Sequence, residues 1–83
     1  MMKITSPKLL AQALKNARTD RQLTQQKTAE QIGIKQSTVS GFENQPDKAR
    51  IETLFKLLSA LELELHVTER DSEKPTTNWD QEW

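Results

Sequence analysis

Lys35, Gln36, Ser37 and Ser40 put four hydrogen-bonding side chains into one short stretch, between apolar residues at Ile34, Val39 and Phe42. A glutamine amide can bond adenine at N6 and N7 together, and a lysine ammonium can donate to guanine O6 or N7. Hydroxyls bond base edges less selectively. Such a set suits a face that reads bases in the major groove of DNA. Gln25, Gln26, Lys27, Thr38 and Asn44 flank it. Their side chains suit phosphate oxygens, contacts that set register without choosing sequence.

Positioning these groups takes two helices and a turn. Thr24 is a natural cap for a helix over Gln25 to Ile32, and Gly33 ends it, as glycine does where the backbone needs positive φ. A second short helix runs from Gln36 to Phe42 or Glu43, with Glu43 extending its polar face past the core contact. Leu23, Ala29, Ile32, Ile34, Val39 and Phe42 can share one core, which is the layout of a DNA-reading helix-turn-helix. Two further helices complete the bundle. One opens at Ser6 or Thr5 with Pro7 in its first turn. It carries Leu9, Leu10, Ala13, Leu14 and Ala17 as an apolar stripe and ends between Arg18 and Arg21. The other covers Ile51 to Leu61, with Leu54, Phe55, Leu57, Leu58 and Leu61 expected in the core.

After Leu61 the period changes. Leu63, Leu65 and Val67 alternate with Glu62, Glu64, His66 and Thr68, the two-residue repeat of a half-buried strand. A lone strand leaves its edges unpaired, and no second segment of similar quality exists, so the expected partner is the same strand of another copy. From Glu69 onward the chain is polar and breaker-rich and is read as disordered, yet it ends in Asn-Trp-Asp-Gln-Glu-Trp. Tryptophan is a preferred interface anchor, so Trp79 and Trp83 are expected to order on a partner.

Charge and composition narrow the function classes. The net charge is zero, but residues 1–68 hold ten Lys/Arg against seven Asp/Glu, giving +3, while 69–83 hold two against five, giving −3. A weakly basic body with an acidic tail must draw on positioned donors and helix N-termini, as well as bulk field, to hold phosphates. The 83 residues contain no cysteine and no apolar run of spanning length, so a soluble cytoplasmic protein without disulfides is expected, nucleoid-associated when on DNA. His66 stands alone on the polar phase of its segment, which satisfies neither a metal site nor a catalytic set. No enzyme, metal or cofactor is expected.

The string from Leu23-Thr24-Gln25 through Ala29, Gly33-Ile34, Ser37, Val39-Ser40 and Glu43 resembles the Cro/C1-type (Xre-like) helix-turn-helix family over about residues 8–61. The resemblance implies a bundle of four or five helices with the third in the major groove. It also implies that Gln25 binds a phosphate and braces Gln36. Two residues depart from the family pattern: Thr28 stands where leucine is usual, and Gly41 sits inside the recognition helix, at a cost of about 1 kcal/mol in helix propensity. Ser6-Pro7-Lys-Leu-Leu-Ala, the run Gly33 to Pro46, the strand and the terminal Glu82-Trp83 together are similar to HipB-type antitoxins. That similarity implies a homodimer with paired C-terminal strands, a palindromic double-stranded operator, autoregulation, and a HipA-like Ser/Thr kinase toxin engaged in part through Trp83. The alternative is a stand-alone Xre-like regulator without a toxin.

The expected organisation is therefore mainly α. Residues 1–61 form the DNA-binding domain, 62–68 the dimerisation strand and 69–83 a flexible acidic tail.

Overall fold

Local signals set each helix boundary in the computed structural model, which describes residues 3–70. The first helix, α1, spans Pro7–Asp20, with the Ser6 hydroxyl accepting from the Leu9 N–H at 3.1 Å. The second, α2 (Gln25–Ile32), is capped the same way by Thr24, whose hydroxyl accepts from the Lys27 N–H at 3.0 Å. The third, α3, covers Gln36–Asn44, and a single 3-10 turn at Pro46–Lys48 leads to α4, Ile51–Ala60. Four α-helices among the described residues is the lower of the two numbers expected.

Three of these helices stop by one device. The N–H groups of Leu23, Ile34 and Leu63 reach back five residues to the carbonyls of Arg18, Ala29 and Leu58, at 3.1, 3.0 and 2.8 Å. Each bond requires a left-handed residue just before it, and these are Gln22 (φ 58°), Gly33 (φ 67°) and Glu62 (φ 56°). Each is followed by an apolar residue, in the pattern that closes a helix end. Only Gly33 takes that conformation without strain on a Cβ. Gln22→Gly is therefore expected to raise the unfolding free energy by about 0.5–1 kcal/mol. Urea unfolding at fixed protein concentration checks it; an unchanged or lower midpoint would contradict it.

The core gathers one stripe from each helix: Ala11 and Leu14 from α1, Ala29 from α2, Val39 and Phe42 from α3, and Leu54, Leu57, Leu58 and Leu61 from α4 and its end. Leu10, Ala17, Leu23, Ile32, Ile34 and Ala49 pack around it. Thr28 is fully buried in place of a larger apolar residue, and its hydroxyl donates to the Thr24 carbonyl at 2.9 Å. The polar atom is thus satisfied within the helix turn and the methyl is left for the core.

Two core expectations fail. Phe55 is 53% exposed, because the buried stripe of α4 runs through Leu54, Leu57, Leu58 and Leu61, about a quarter turn away. It shares its side of α4 with Ile51, which is 70% exposed. Leu9 also lies outside the stripe of α1, at 37% exposure. The segment read as a strand takes no regular secondary structure within one chain, because an all-helical bundle offers it no edge to pair with. Leu63, Leu65 and Val67 are all exposed there. Trp79 and Trp83 lie outside the described residues.

Candidate nucleic-acid interface

Gln25 and Gln36 are the first residues of α2 and α3, so a contact between them brings two helix N-termini side by side. The Gln36 Nε2 donates to Gln25 Oε1 at 2.8 Å. Helix N-termini present unbonded backbone N–H groups and the positive end of the peptide dipoles, which favours anions. The two starts differ in one respect. Thr24 caps α2, whereas Lys35, at the start of α3, makes no side-chain cap. Omitting a cap costs a helix about 1 kcal/mol. Here it leaves the first turn of α3 open to an outside acceptor.

Behind the two glutamines lies an ion pair. Arg18 of α1 donates from Nε to Glu43 Oε2 at 2.7 Å and from Nη2 to Oε1 at 3.1 Å. Its Nη1 donates to the Leu23 carbonyl at 2.7 Å. Gln25 Nε2 completes the set by donating to Glu43 Oε1 at 2.9 Å. The side chains of Arg18 and Glu43 are 11% and 5% exposed. Glu43 therefore does not extend the polar face, contrary to the expectation from sequence. One turn on from Val39, it falls on the inward side of α3 and meets the one cation on the inward side of α1.

The other candidate residues are placed as follows. Lys35, Ser37 and Thr38 are exposed at the start of α3, with Gln36. Ser40 is half-buried, and its hydroxyl accepts from Asn44 Nδ2 at 3.1 Å, one turn along the same face. Gln26 and Lys27 are exposed on the first turn of α2, and Gln26 Nε2 donates to Glu30 Oε2 at 3.4 Å. Gly41 is exposed, and a Cβ built there would meet nothing within 4 Å, so no internal packing explains the missing side chain. His66 is exposed and its Nε2 lies 2.9 Å from Glu64 Oε2 on the same segment.

A shallow groove beside this face was missed from sequence. Thr38, Gly41 and Gln45 form one wall, and Lys48, Ala49, Arg50 and Thr53 the other. Lys48 and Arg50 stand in the connection between α3 and α4, the natural neighbour of anything lying along α3. The available signal was two cations bracketing an alanine directly after the 3-10 turn. No group of side chains able to hold a metal ion occurs among the described residues. No helix among them is long and apolar enough to cross a membrane.

This geometry agrees with known proteins. Residues 14–67 match the helix-turn-helix family model. Antitoxin HipB of Escherichia coli strain K12 is 42% identical over 83 residues, covering 98% of this chain and 94% of that protein. Among solved structures, the HipA–HipB–O2–O3 complex contains a chain of 45% identity that superposes with a TM-score of 0.81, over 83% of this chain and 97% of that one. A HipB–O4 20mer complex superposes equally well, with the same identity and coverage. The likeness extends past the helix-turn-helix at both ends of the aligned region. The chain belongs to the helix-turn-helix family and, within it, to the HipB antitoxins.

Proposed function

We propose that this chain is the DNA-binding antitoxin of a HipA-like Ser/Thr kinase and, as a homodimer, represses its own operon at a palindromic operator. The observation that carries the reading is the near full-length match to antitoxin HipB on both chains, which includes residues beyond the DNA-binding core.

In this reading α3 enters the major groove, with Gln36 bonding adenine and Lys35, Ser37 and Ser40 completing the base-reading face. Gln25, Gln26, Lys27, Thr38 and Asn44 hold phosphates, joined by Lys48 and Arg50 across the groove. The backbone N–H groups at the uncapped start of α3 add donors that carry no sequence information. The dimer joins Leu63, Leu65 and Val67 of the 62–68 segment to the same residues of a second copy, with the exposed Ile51–Phe55 side of α4 beside them. Two copies also double the basic surface of a body whose charge is only weakly positive. The work is binding and occlusion; no step calls for catalysis, a metal or a cofactor, and the setting is the cytoplasm. Trp83, with Trp79, reaches the toxin.

Capture on the full tagged chain from lysate of the native host tests the toxin half of this reading, in parallel with a variant ending before Trp83. A kinase retained in stoichiometric amount, and weakened by at least about tenfold on truncation, is expected for an interface anchor. Specific operator DNA recovered with no kinase at all would leave the stand-alone regulator as the correct account.

A further inference from the structure

We infer that Glu43, which faces away from the DNA-reading surface, sets which purine Gln36 accepts by fixing the direction in which the Gln36 amide points. The inference rests on the reading of Gln36 as a base reader and adds a positioning residue to it.

An amide side chain has a donor end and an acceptor end of nearly equal size, so nothing in its shape fixes which way it turns. A carboxylate resolves that ambiguity because it only accepts. Glu43 receives Arg18 on both oxygens and Gln25 Nε2 on Oε1. The NH2 end of Gln25 must therefore face Glu43, which turns its carbonyl oxygen toward Gln36. That oxygen can only accept, so the NH2 end of Gln36 must face it, as the 2.8 Å bond records. Polarity passes from Glu43 to Gln25 to Gln36, a relay of two amides ending at the exposed face. Arg18 holds the start of the relay in place, itself anchored by the Leu23 carbonyl, and the pair is too buried for water to substitute.

Gln36 is left with its carbonyl oxygen and one N–H for an outside partner. An acceptor beside a donor in that fixed order matches adenine, which offers the N6 amino group and the N7 acceptor. With the amide turned over, the acceptor would meet N7 and the donor the amino group, and adenine would lose both bonds. Guanine, with oxygen at position six, sets that oxygen against the Gln36 carbonyl in the fixed order. An amide released from Gln25, by contrast, has both N–H groups free to donate to guanine O6 and N7. Releasing the relay thus exchanges a strict preference for adenine for a loose choice between purines.

The test uses the full chain and a palindromic duplex selected from random sequence by the unaltered protein. Gln36→Ala identifies the base pair in each half-site whose preference depends on Gln36. At that pair the unaltered protein is expected to favour adenine over guanine by about 5- to 150-fold. Gln25→Ala removes the middle of the relay and leaves the Arg18–Glu43 pair intact, so the fold is retained. It is expected to bring the ratio below about threefold, while weakening binding to every sequence by a common factor. Glu43→Gln is expected to relax the ratio likewise. The exchange Gln25→Glu with Glu43→Gln, which swaps carboxylate and amide and keeps an acceptor-only group in the chain, is expected to restore it. A merely structural role for Glu43 would not be rescued this way. Persistence of the adenine preference in Gln25→Ala overturns the inference while base reading by Gln36 stands. Persistence in Gln36→Ala overturns both.

Discussion

Arg18→Met is expected to destabilise the domain by about 3–5 kcal/mol, which is a large share of the 5–15 kcal/mol typical of native domains. The substitution keeps the length of the side chain but removes its donors to Glu43 and to the Leu23 carbonyl. The Glu43 carboxylate is then left in a nearly closed site with only Gln25 to bond. The cost comes mainly from that stranded charge and only in smaller part from the lost attraction. It follows that Arg18→Met with Glu43→Leu should recover most of the stability, because an apolar pair of similar volume replaces a buried ion pair at little net cost. The DNA preference should not return with it, since the acceptor that orients Gln25 is gone. Urea unfolding of the single and double variants, at one protein concentration because association adds to stability, checks both statements. A single variant within 1 kcal/mol of the original would show the pair to be solvated like a surface salt bridge.

The second large effect concerns assembly. Leu65→Glu with Val67→Glu is expected to yield a monomer and to weaken binding to a palindromic duplex by about 10²- to 10⁴-fold. The body of the domain is little affected, since both side chains are exposed in the single chain and neither belongs to the core. Their exposure is the reason to expect a second copy: Leu63, Leu65 and Val67 lie in one short segment, with Ile51 and Phe55 also uncovered. Two half-sites bound through one dimer gain from effective concentration, and a monomer forfeits that gain while keeping its contacts to one half-site. Sedimentation of the two proteins, and titration of each onto full and half palindromes, checks the prediction. A monomeric variant that still bound the full palindrome as tightly as the original would remove dimerisation from the mechanism.

The helices were legible in the sequence because their punctuation is chemical. Ser6, Thr24 and Gly33 each do at the helix ends what their side chains or lack of one predispose them to do. The Gln25–Gln36 contact, implied by the family resemblance, is present at bonding distance. Glu43 was misjudged because a lone glutamate near a helix end usually faces water, and its partner lies 25 residues away on another helix. The clue was that Arg18 follows Ala11 and Leu14 on the buried side of α1, so a cation was due to enter the core and needed an anion there. Phe55 was misjudged for the reverse reason. Its size suggested the core, but the spacing of four leucines left it on the adjoining side of α4. A segment whose expected pairing partner is another molecule gives no intrachain signal to compare with. Lys48 and Arg50 escaped notice because charge in a loop becomes informative only once the groove beside α3 is known.

Binding of the full chain to the DNA just upstream of its own coding sequence, set against a scrambled duplex of equal length and base composition at moderate salt, tests the central claim most directly. A sequence-specific repressor is expected to favour the natural duplex by at least about 10³-fold, with two chains per palindrome. Gln36→Ala should lower that ratio while the slope of affinity against salt stays the same. Equal affinity for the two duplexes, or a ratio unchanged in Gln36→Ala, would contradict the account: the first would deny sequence-specific binding, and the second would move base reading away from the start of α3.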